Sequence, residues 1–487
     1  MEQRRPRWVD KPEFDWTPQP PLRMEPPGSP WDRHKPRVTG AHFDRPAPGF
    51  TPANDTVPSS LPVHARQAAA RMIGPLLGLA WLLGKRSGDA AGRAAGADIA
   101  PRLAIGLIQG LLLSLLFVLR GQGAGSHILL TGLIMAAAFA PLLLVQGLGR
   151  ISLRPLLIWT GLAAIGLVGL GAYHAWRTLG ADPGHAGLWL AAMTVVFLFI
   201  GQALLLAHAR STPLRYAVLY ESSWRLAVET LLCALVALSV WTLYRFAAHF
   251  FVAQATSLSR WFAIPLTTIS FAAAAQLRAG TLLHLLKRAT VISFAFLSPP
   301  LIFFAVLTIL FGALSRWQPP LALCGFEGLL LVIGINASYR GGEEWRPLWR
   351  RRAEFLAAFL LPPLALLGVL ALHARTAQYG FTGPRIVAMA SMLLFTAYAL
   401  TYAGAALISL SGGRWMARIE RANLPMAFVV MSLCATLASP LGDPVRLAVA
   451  NQNWRMLHGR VAPEAFDYAY LRQSGLRFGR AVLEEPR

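Results

Sequence analysis

The segment Ile128–Leu148, ILLTGLIMAAAFAPLLLVQGL, decides the fold because no charged side chain interrupts its 21 residues. An α-helix of about 20 apolar residues is long enough to cross the hydrocarbon core of a bilayer. The segment does not alternate apolar and polar residues, as a half-buried strand would. Only helices and closed barrels satisfy their backbone hydrogen bonds in hydrocarbon, so this segment predicts a transmembrane helix.

Eleven apolar segments of this kind alternate with short polar loops along the chain of 487 residues. The sequence is 55% hydrophobic and only 14% charged, whereas soluble domains contain about 25% charged residues. This composition excludes an ordinary soluble protein and predicts an all-α, polytopic bundle of about eleven transmembrane helices. The predicted spans are 103–119, 128–148, 155–173, 187–209, 226–246, 261–277, 290–313, 320–338, 354–373, 386–410 and 424–439.

The net charge of +22 comes from 45 Lys and Arg against 23 Asp and Glu. One set of alternate loops holds 16 of the basic residues, and the other set holds six. The positive-inside rule therefore places the loops with 16 basic residues in the cytoplasm, together with the N-terminus of the chain. With eleven spans, the C-terminus then lies in the periplasm or outside the cell. The sixth span is short and contains Gln276. If it were re-entrant, the Arg350–Arg352 loop would face outward, so we treat it as a span.

The polar ends of the chain divide it into four predicted regions. They are a disordered Pro- and Arg-rich cytoplasmic tail (1–63), an interfacial amphipathic helix with a linker (64–101), the transmembrane bundle (102–440), and a polar C-terminal segment packed at the membrane face (441–487).

The tail cannot bury enough apolar area to offset the entropy of ordering, but its tryptophans could bind a protein partner. Met72–Gly84 is short for a span and has basic residues on both sides, which favours a helix lying on the membrane surface. In the C-terminal segment, Pro463 followed by Glu464 predicts the start of a short helix.

Glu327 and Asn336 form the candidate intramembrane polar site, in the span that contains LALCGFEGLLLVIG. A carboxylate in mid-membrane costs about 3 kcal/mol on insertion scales and is a functional-site hypothesis by default. Glu327 could relay protons or bind a cation; it could equally be protonated, or paired with another helix as a structural contact. Asn336 lies about 13 Å further along the helix axis, so the two residues need others to complete one site.

Two groups of charged residues lie at the predicted cytoplasmic surface. Arg225 and Glu229 are four residues apart, which predicts an ion pair on one helix face. Four arginines beside two tryptophans predict a basic patch that binds anionic lipid headgroups, at about 1 kcal/mol per charge. This patch comprises Arg346, Arg350, Arg351 and Arg352. Reading nucleic-acid bases would need a folded basic domain, and the sequence predicts none, so nucleic acid is not an expected partner.

Three sequence blocks carry a family resemblance: LVIGINASYRGG (Leu331–Gly342), TAQYGFTGPRIVAM (Thr376–Met389) and NQNWRMLHGRVAPEAFDYAYLR (Asn451–Arg472). In order and spacing they resemble the bacterial membrane proteins of the domain-of-unknown-function 4153 family. The resemblance extends from about Arg225 to Gly479 and implies a multi-pass protein of the bacterial inner membrane, with no activity or catalytic residue to carry over. The matching motif positions include Tyr379, Gly380, Thr382, Arg385, Gln452, Arg455 and Asp467.

The second block, Thr376–Met389, also contains residues that predict its local structure. Gly380 and Gly383-Pro384 impose turns, and Thr382 could cap the helix that follows. Arg385 could lie among lipid headgroups, and the turn as a whole could bind an anionic ligand.

No standard catalytic or metal-binding pattern is present in the sequence. The three cysteines, Cys233, Cys324 and Cys434, lie in apolar segments without metal-ligand spacing, and no HExxH, GxSxG or complete phosphate loop occurs. We therefore expect no metal or cofactor and favour a non-enzymatic role. The leading hypothesis is translocation of a small solute or lipid, centred on Glu327. The alternatives are a membrane scaffold or assembly subunit and, third, an intramembrane enzyme acting on a lipid-linked substrate.

Four glycines of the third span (Gly161, Gly166, Gly169 and Gly171) would permit close helix packing.

Overall fold

The computed structural model describes residues 99–123, 126–179, 186–251, 256–277, 280–314, 321–337, 339, 347–412 and 414–484. The predicted tail (1–63) and the predicted interfacial helix (72–84) lie outside these residues. The regular elements in the described part of the chain are all helices. Helix α1 begins at Ile99, so it includes the last residues of the predicted linker.

Eleven apolar helices coincide with the eleven predicted spans, which confirms the predicted all-α bundle. In the part of the chain that the structure describes, nine of them are long and apolar enough to cross a membrane, whereas α6 and α8 are shorter. Their bounds are α1 Ile99–Gly121, α2 His127–Gly147, α3 Leu153–Thr178, α4 Ala186–Arg210, α5 Tyr216–Phe251, α6 Thr256–Ala274, α7 Gly280–Leu314, α8 Leu321–Ala337, α9 Leu348–Tyr379, α10 Gly383–Leu410 and α11 Trp415–Ala438.

Several helices continue beyond the apolar segments that predicted them. Helix α5 begins ten residues before its predicted span at 226, and α7 begins ten residues before its span at 290. The two extensions contact each other, because Lys287 of α7 donates to the Glu221 carboxylate of α5. Hydropathy detects the apolar part of a helix, whereas the helix itself continues as long as polar partners or solvent can satisfy its side chains.

Contacts between helix ends show that the short helices α6 and α8 traverse the bundle. Glu221 and Lys287, which contact each other, lie near the starts of α5 and α7, so α6 returns the chain to the end from which α5 departed. Tyr216 at the start of α5 bonds to Asn336 near the end of α8, which places that end on the same side. We call this side, which also holds Arg150 and Arg350, the basic end. Helices α3, α9 and α11 finish at the opposite end.

The bundle exposes large apolar side chains and buries small ones where helices meet. Phe296 is 78% exposed and Ile165 is 72% exposed, as expected for helices that face lipid. Helix α6 packs closely on α1, where the Thr268 hydroxyl donates to the Gly106 carbonyl at 2.7 Å. A β-carbon on Gly106 would lie 2.8 Å from the Thr268 carbonyl oxygen, so this contact requires glycine.

The glycines of the third span behave differently from the prediction. Only Gly171 lies at a helix contact, where it faces Gly132 of α2. At Gly161, Gly166 and Gly169, a β-carbon would meet no described atom within 4 Å. The prediction that all four permit close packing is therefore wrong for three of them, because they lie on outward faces of α3.

The C-terminal segment forms three short helices on the opposite end: α12 (Pro444–Leu457), α13 (Tyr468–Ser474) and α14 (Leu476–Glu484). The helix predicted to start at Pro463 is a single 3₁₀ turn that ends at Ala465. The chain leaves the helical conformation there because Asp467 caps α13, accepting from the Tyr470 amide at 2.8 Å. Helix α12 begins with the Asp443 cap and a proline at its first position.

Candidate functional site

The Glu327 side chain lies in the second turn of α8 and is only 5% exposed. One carboxyl oxygen, Oε1, accepts a hydrogen bond of 3.0 Å from the Thr308 hydroxyl of α7. The other, Oε2, is buried and has no hydrogen-bond partner among the described residues. A buried polar atom without a partner costs about 1–3 kcal/mol, so this oxygen needs an explanation.

A narrow cavity of about 30 Å³ begins one helical turn beyond Glu327, towards the basic end. The cavity is bounded by α7, α8 and α9. Its α8 wall consists of residues three, four, seven and eight positions after Glu327, which share the face of the helix that carries the carboxyl group. At the basic end the cavity reaches an ion pair between Arg350 and Glu354, whose Nε and Oε1 are 3.8 Å apart. The lining residues from α8 are Leu330, Leu331, Gly334 and Ile335.

The helices on either side of this cavity each contain two adjacent prolines. Pro299-Pro300 lies inside α7, and Pro362-Pro363 lies inside α9. Each proline removes one backbone donor from the helical hydrogen-bond ladder. Helices with such interruptions are tolerated in membranes and bend at these points more readily than continuous ones.

Asn336 belongs to a separate group of four side chains, which we call the Asn336 network: Tyr216, Asn336, Tyr402 and Asn423. The Tyr216 hydroxyl donates to Asn336 Oδ1 at 3.1 Å, and the Tyr402 hydroxyl donates to Asn423 Oδ1 at 2.6 Å. Asn423 Nδ2 donates to Asn336 Oδ1 at 2.7 Å and to the Tyr216 hydroxyl at 3.0 Å. The structure thus gives Glu327 and Asn336 different partners and does not bring them into one site.

The donors of the Asn336 network are all used. Asn336 Nδ2 donates to Tyr402 Oη at 2.7 Å and to the Val332 carbonyl at 2.9 Å. The four side chains come from α5, α8, α10 and α11, so a satisfied buried network joins four helices near the basic end. Its arrangement indicates a structural role in holding these helices together.

Tyr339 follows α8 at the edge of this network and is buried. Its hydroxyl donates to Glu420 Oε1 at 2.6 Å. Burial and this hydrogen bond to a carboxylate raise the pKa of Tyr339 well above its usual value, which keeps the hydroxyl a proton donor.

We call residues Thr376–Arg385 the elbow; they comprise the end of α9, the turn that follows it and the start of α10. Gly380 has φ of 73°, a conformation that favours glycine, and its carbonyl accepts from Arg385 Nη1 at 2.7 Å. The Arg385 guanidinium lies 5.6 Å from the centre of the Tyr379 ring. Thr382 occupies the position before α10, but its side chain makes no cap bond. The cap prediction is wrong: the first amide of α10, that of Gly383, donates to the Tyr470 hydroxyl of α13, and the second residue is Pro384, which has no amide hydrogen.

Helix α12 binds the elbow through its side chains. Gln452 Nε2 donates to the carbonyls of Tyr379 and Phe381 at 3.1 and 2.8 Å. Arg455 donates to three carbonyls at the end of α9: those of Thr376, Ala377 and Gln378, at 3.0–3.3 Å. A cation there interacts favourably with the helix dipole.

The motif positions of the elbow and the C-terminal segment therefore meet in space. Four of these motif positions belong to the elbow, and two are on α12. The seventh, Asp467, caps α13, and the Tyr470 hydroxyl of α13 accepts from the Gly383 amide of the elbow. The sequence places these blocks about 70 residues apart, and nothing in their local pattern indicates that they touch.

A buried ion pair that the sequence did not indicate links α3 to the C-terminal segment. Arg177 Nη1 lies 2.7 Å from Asp443 Oδ2, and the Tyr173 hydroxyl donates to the same oxygen at 2.8 Å. Asp443 is fully buried, and its other oxygen caps α12 by accepting from the Val445 and Arg446 amides. The Asp-Pro pair that begins α12 is the one signal in the sequence that could have pointed to the cap.

The charged residues at the basic end pair differently from the prediction. Glu229 pairs with Arg150 of the α2–α3 loop, whereas Arg225 lies 3.9 Å from Glu221. The predicted Arg225–Glu229 pair is therefore wrong, because each residue has another partner of opposite charge within reach.

The predicted basic patch is divided. Arg351 and Arg352 are exposed, and Arg351 lies over the Phe355 ring at 5.6 Å. Arg350 lies against Glu354, and Arg346 lies outside the described residues. Of the three arginines that the structure describes, two are thus available at the surface.

Within the described residues, no group of three or more His, Cys, Asp or Glu side chains could hold a metal ion. The three cysteines are buried and unpaired. Comparison of the chain with models of protein families, with curated proteins and with solved structures finds no match.

Proposed function

We propose that the protein is a multi-pass membrane translocator of a small solute or lipid, and that the Glu327 carboxyl group binds the proton that accompanies it. The observation that carries this proposal is the buried Oε2 atom without a partner among the described residues. A proton on this carboxyl removes the cost of a buried charge, and its release requires the surroundings of Glu327 to change.

The surroundings of Glu327 support a pathway between α7, α8 and α9. The narrow cavity continues along the Glu327 face of α8 and ends at the Arg350–Glu354 pair of the basic end. It is too narrow for passage in the present conformation, so translocation requires α7 and α9 to move apart. The paired prolines of both helices weaken their backbone ladders beside the cavity, which favours bending there.

The distribution of charge supports an orientation for this pathway. The basic end corresponds to the set of loops with 16 basic residues against six in the alternate set, and such loops face the cytoplasm in multi-pass proteins. Exposed Arg351 and Arg352 would then contact the anionic headgroups of the cytoplasmic leaflet. The pathway thus opens from the Arg350–Glu354 pair towards the cytoplasm, and the elbow faces the other side.

Proton flux into proteoliposomes tests the role of Glu327. The full-length protein is reconstituted with a pH-sensitive dye inside, and a potassium gradient with valinomycin imposes a membrane potential. We expect proton uptake by the wild-type protein and a loss of at least about tenfold in Glu327→Gln, whose amide oxygen can still accept from Thr308.

The matched control is Glu221→Gln, which removes a half-exposed carboxylate at the basic end. It should leave the flux unchanged. Flux of equal size in Glu327→Gln and wild type would reject the proposal. Thermal unfolding of each variant checks that the fold is retained.

A further inference from the structure

A pocket of about 440 Å³ lies where α12 meets the elbow. This volume is in the range of sites that bind small molecules, about 300–1,000 Å³. The walls come from the end of α9, from the elbow, and from α12 with the turn that follows it. The lining residues are Thr376, Ala377, Gln378, Phe381, Asn451, Trp454, Arg455 and Arg460. We call it the elbow pocket.

The elbow pocket is lined by two arginines and by no acidic residue among those that the structure describes. Arg455 uses its terminal nitrogens on α9 carbonyls, but its Nε is buried without a hydrogen-bond partner in the described part of the chain. The Arg460 side chain is exposed and forms no ion pair with any acidic residue that the structure describes. The pocket therefore carries positive charge with unused donors.

The remaining lining groups add neutral hydrogen bonds and one aromatic surface. Gln378 is exposed, and Asn451 uses its side-chain oxygen on the Phe381 amide, which leaves the nitrogens of both side chains to donate. Trp454 is 49% exposed and stacks on His458 with 4.5 Å between the ring centres. An indole at the mouth of a cationic pocket suits a ligand that joins an anionic group to a less polar part.

The pocket lies just beyond the ends of two candidate spans. Helix α9 ends at Tyr379, and α11 ends at Ala438, five residues before the Asp443 cap of α12. Both are candidate spans, so we expect the residues just beyond their ends at the depth of lipid headgroups.

We propose that the elbow pocket binds a phosphate group, with Arg460 and the Arg455 Nε as its charged donors. Charge-assisted hydrogen bonds from guanidinium groups are the usual means of holding phosphate oxygens. The phosphate could belong to an anionic phospholipid or to a soluble phosphate ester. This inference concerns the opposite end of the bundle and does not depend on the role of Glu327.

Native mass spectrometry of the detergent-solubilised, full-length protein tests the pocket with two probes. One arm titrates phosphatidylglycerol, and the other titrates glycerol phosphate, which carries the same phosphate chemistry without acyl chains. We expect saturable binding of at least one probe, with about tenfold weaker binding in Arg460→Gln and in Trp454→Ala.

The matched control is Arg472→Gln, which removes an exposed arginine of α13 that does not line the pocket. It should bind as the wild type does. Binding of the phospholipid alone identifies a headgroup as the source, and binding of both probes shows that the phosphate suffices. Binding that is equal in wild type and Arg460→Gln, or no saturable binding of either probe, would overturn the proposal. Arg460 is exposed, so a fold defect does not confound the result.

Discussion

At the residue scale, the polar side chains inside the bundle divide by whether their hydrogen bonds are complete. Asn336 and Asn423 have their donors and acceptors satisfied by each other, by two tyrosines and by the Val332 carbonyl. Glu327 has one bond, to Thr308, and one oxygen without a partner among the described residues. Complete networks stabilise one arrangement of helices, whereas an incomplete site changes its interactions when it gains or loses a proton. This contrast is why we assign a structural role to the first and a functional role to the second.

The Asn336 network predicts a stability effect without an effect on Glu327. Asn423→Leu leaves the buried hydroxyls of Tyr216 and Tyr402 each short of a partner, which should lower the free energy of unfolding by about 2 kcal/mol. Thermal unfolding in nanodiscs measures the loss of stability. The control is Asn453→Leu, a substitution on α12 outside the network. Equal midpoints for the two variants would show that the network does not stabilise the bundle.

The Arg177–Asp443 pair predicts a coupled effect between residues 266 positions apart. Asp443→Ala leaves Arg177 buried without its charge partner and removes the α12 cap, which should cost about 3 kcal/mol or more. Hydrogen exchange should then rise throughout 444–484. In a double-mutant cycle, Arg177→Met combined with Asp443→Ala should cost less than the sum of the single changes. Strict additivity would show that the two side chains do not interact.

At the element scale, the sequence predicted which segments form helices, but not where all of them end or which of them touch. Runs of apolar residues located α1 to α11 because lipid requires nearly uncharged helices. The sequence did not predict the extensions of α5 and α7 because charged residues, such as Glu221 and Lys287, interrupt their apolar residues. The sequence also did not predict that α12 packs on the elbow. This contact depends on hydrogen bonds from side chains to backbone carbonyls, which any polar segment of suitable shape could make.

The elbow gives a prediction at this scale. In Gly380→Ala, the new β-carbon would lie 2.7 Å from Gln452 Nε2 and 2.9 Å from Arg455 Cδ, in addition to backbone strain. We expect α12 to loosen and hydrogen exchange to rise in 444–457. Gly459→Ala is the matched control, because Gly459 has a similar φ of 65° but open space around it. If hydrogen exchange in 444–457 rises equally in both variants, backbone strain alone explains the rise, and the contact of Gly380 with α12 does not.

At the scale of the whole molecule, the sequence predicted an eleven-helix bundle, and the contacts between helix ends agree with alternating crossings. Lys287 with Glu221, and Tyr216 with Asn336, join ends that should share one side. The contact between Arg177 and Asp443 does the same at the opposite end. These contacts relate the helix ends to each other, whereas the charge of the loops supports the orientation in the membrane.

The orientation predicts the location of the chain ends. A reporter that is active only in the cytoplasm should be inactive when fused after Arg487 and active when fused after Gly412, which lies between α10 and α11 at the basic end. The same activity at both positions would contradict the crossing of α11. The reverse pattern would contradict the proposed orientation.

The central claim is that the Glu327 carboxyl group binds and releases a proton inside the bundle. Infrared difference spectroscopy of the purified protein, between acidic and alkaline buffer, observes this group directly through the carbonyl stretch of a protonated carboxyl. We predict a band in the wild-type protein that is absent in Glu327→Gln, shifted in Thr308→Val through loss of the hydrogen bond, and unchanged in Glu221→Gln. Identical difference spectra for the wild type and Glu327→Gln would contradict the claim.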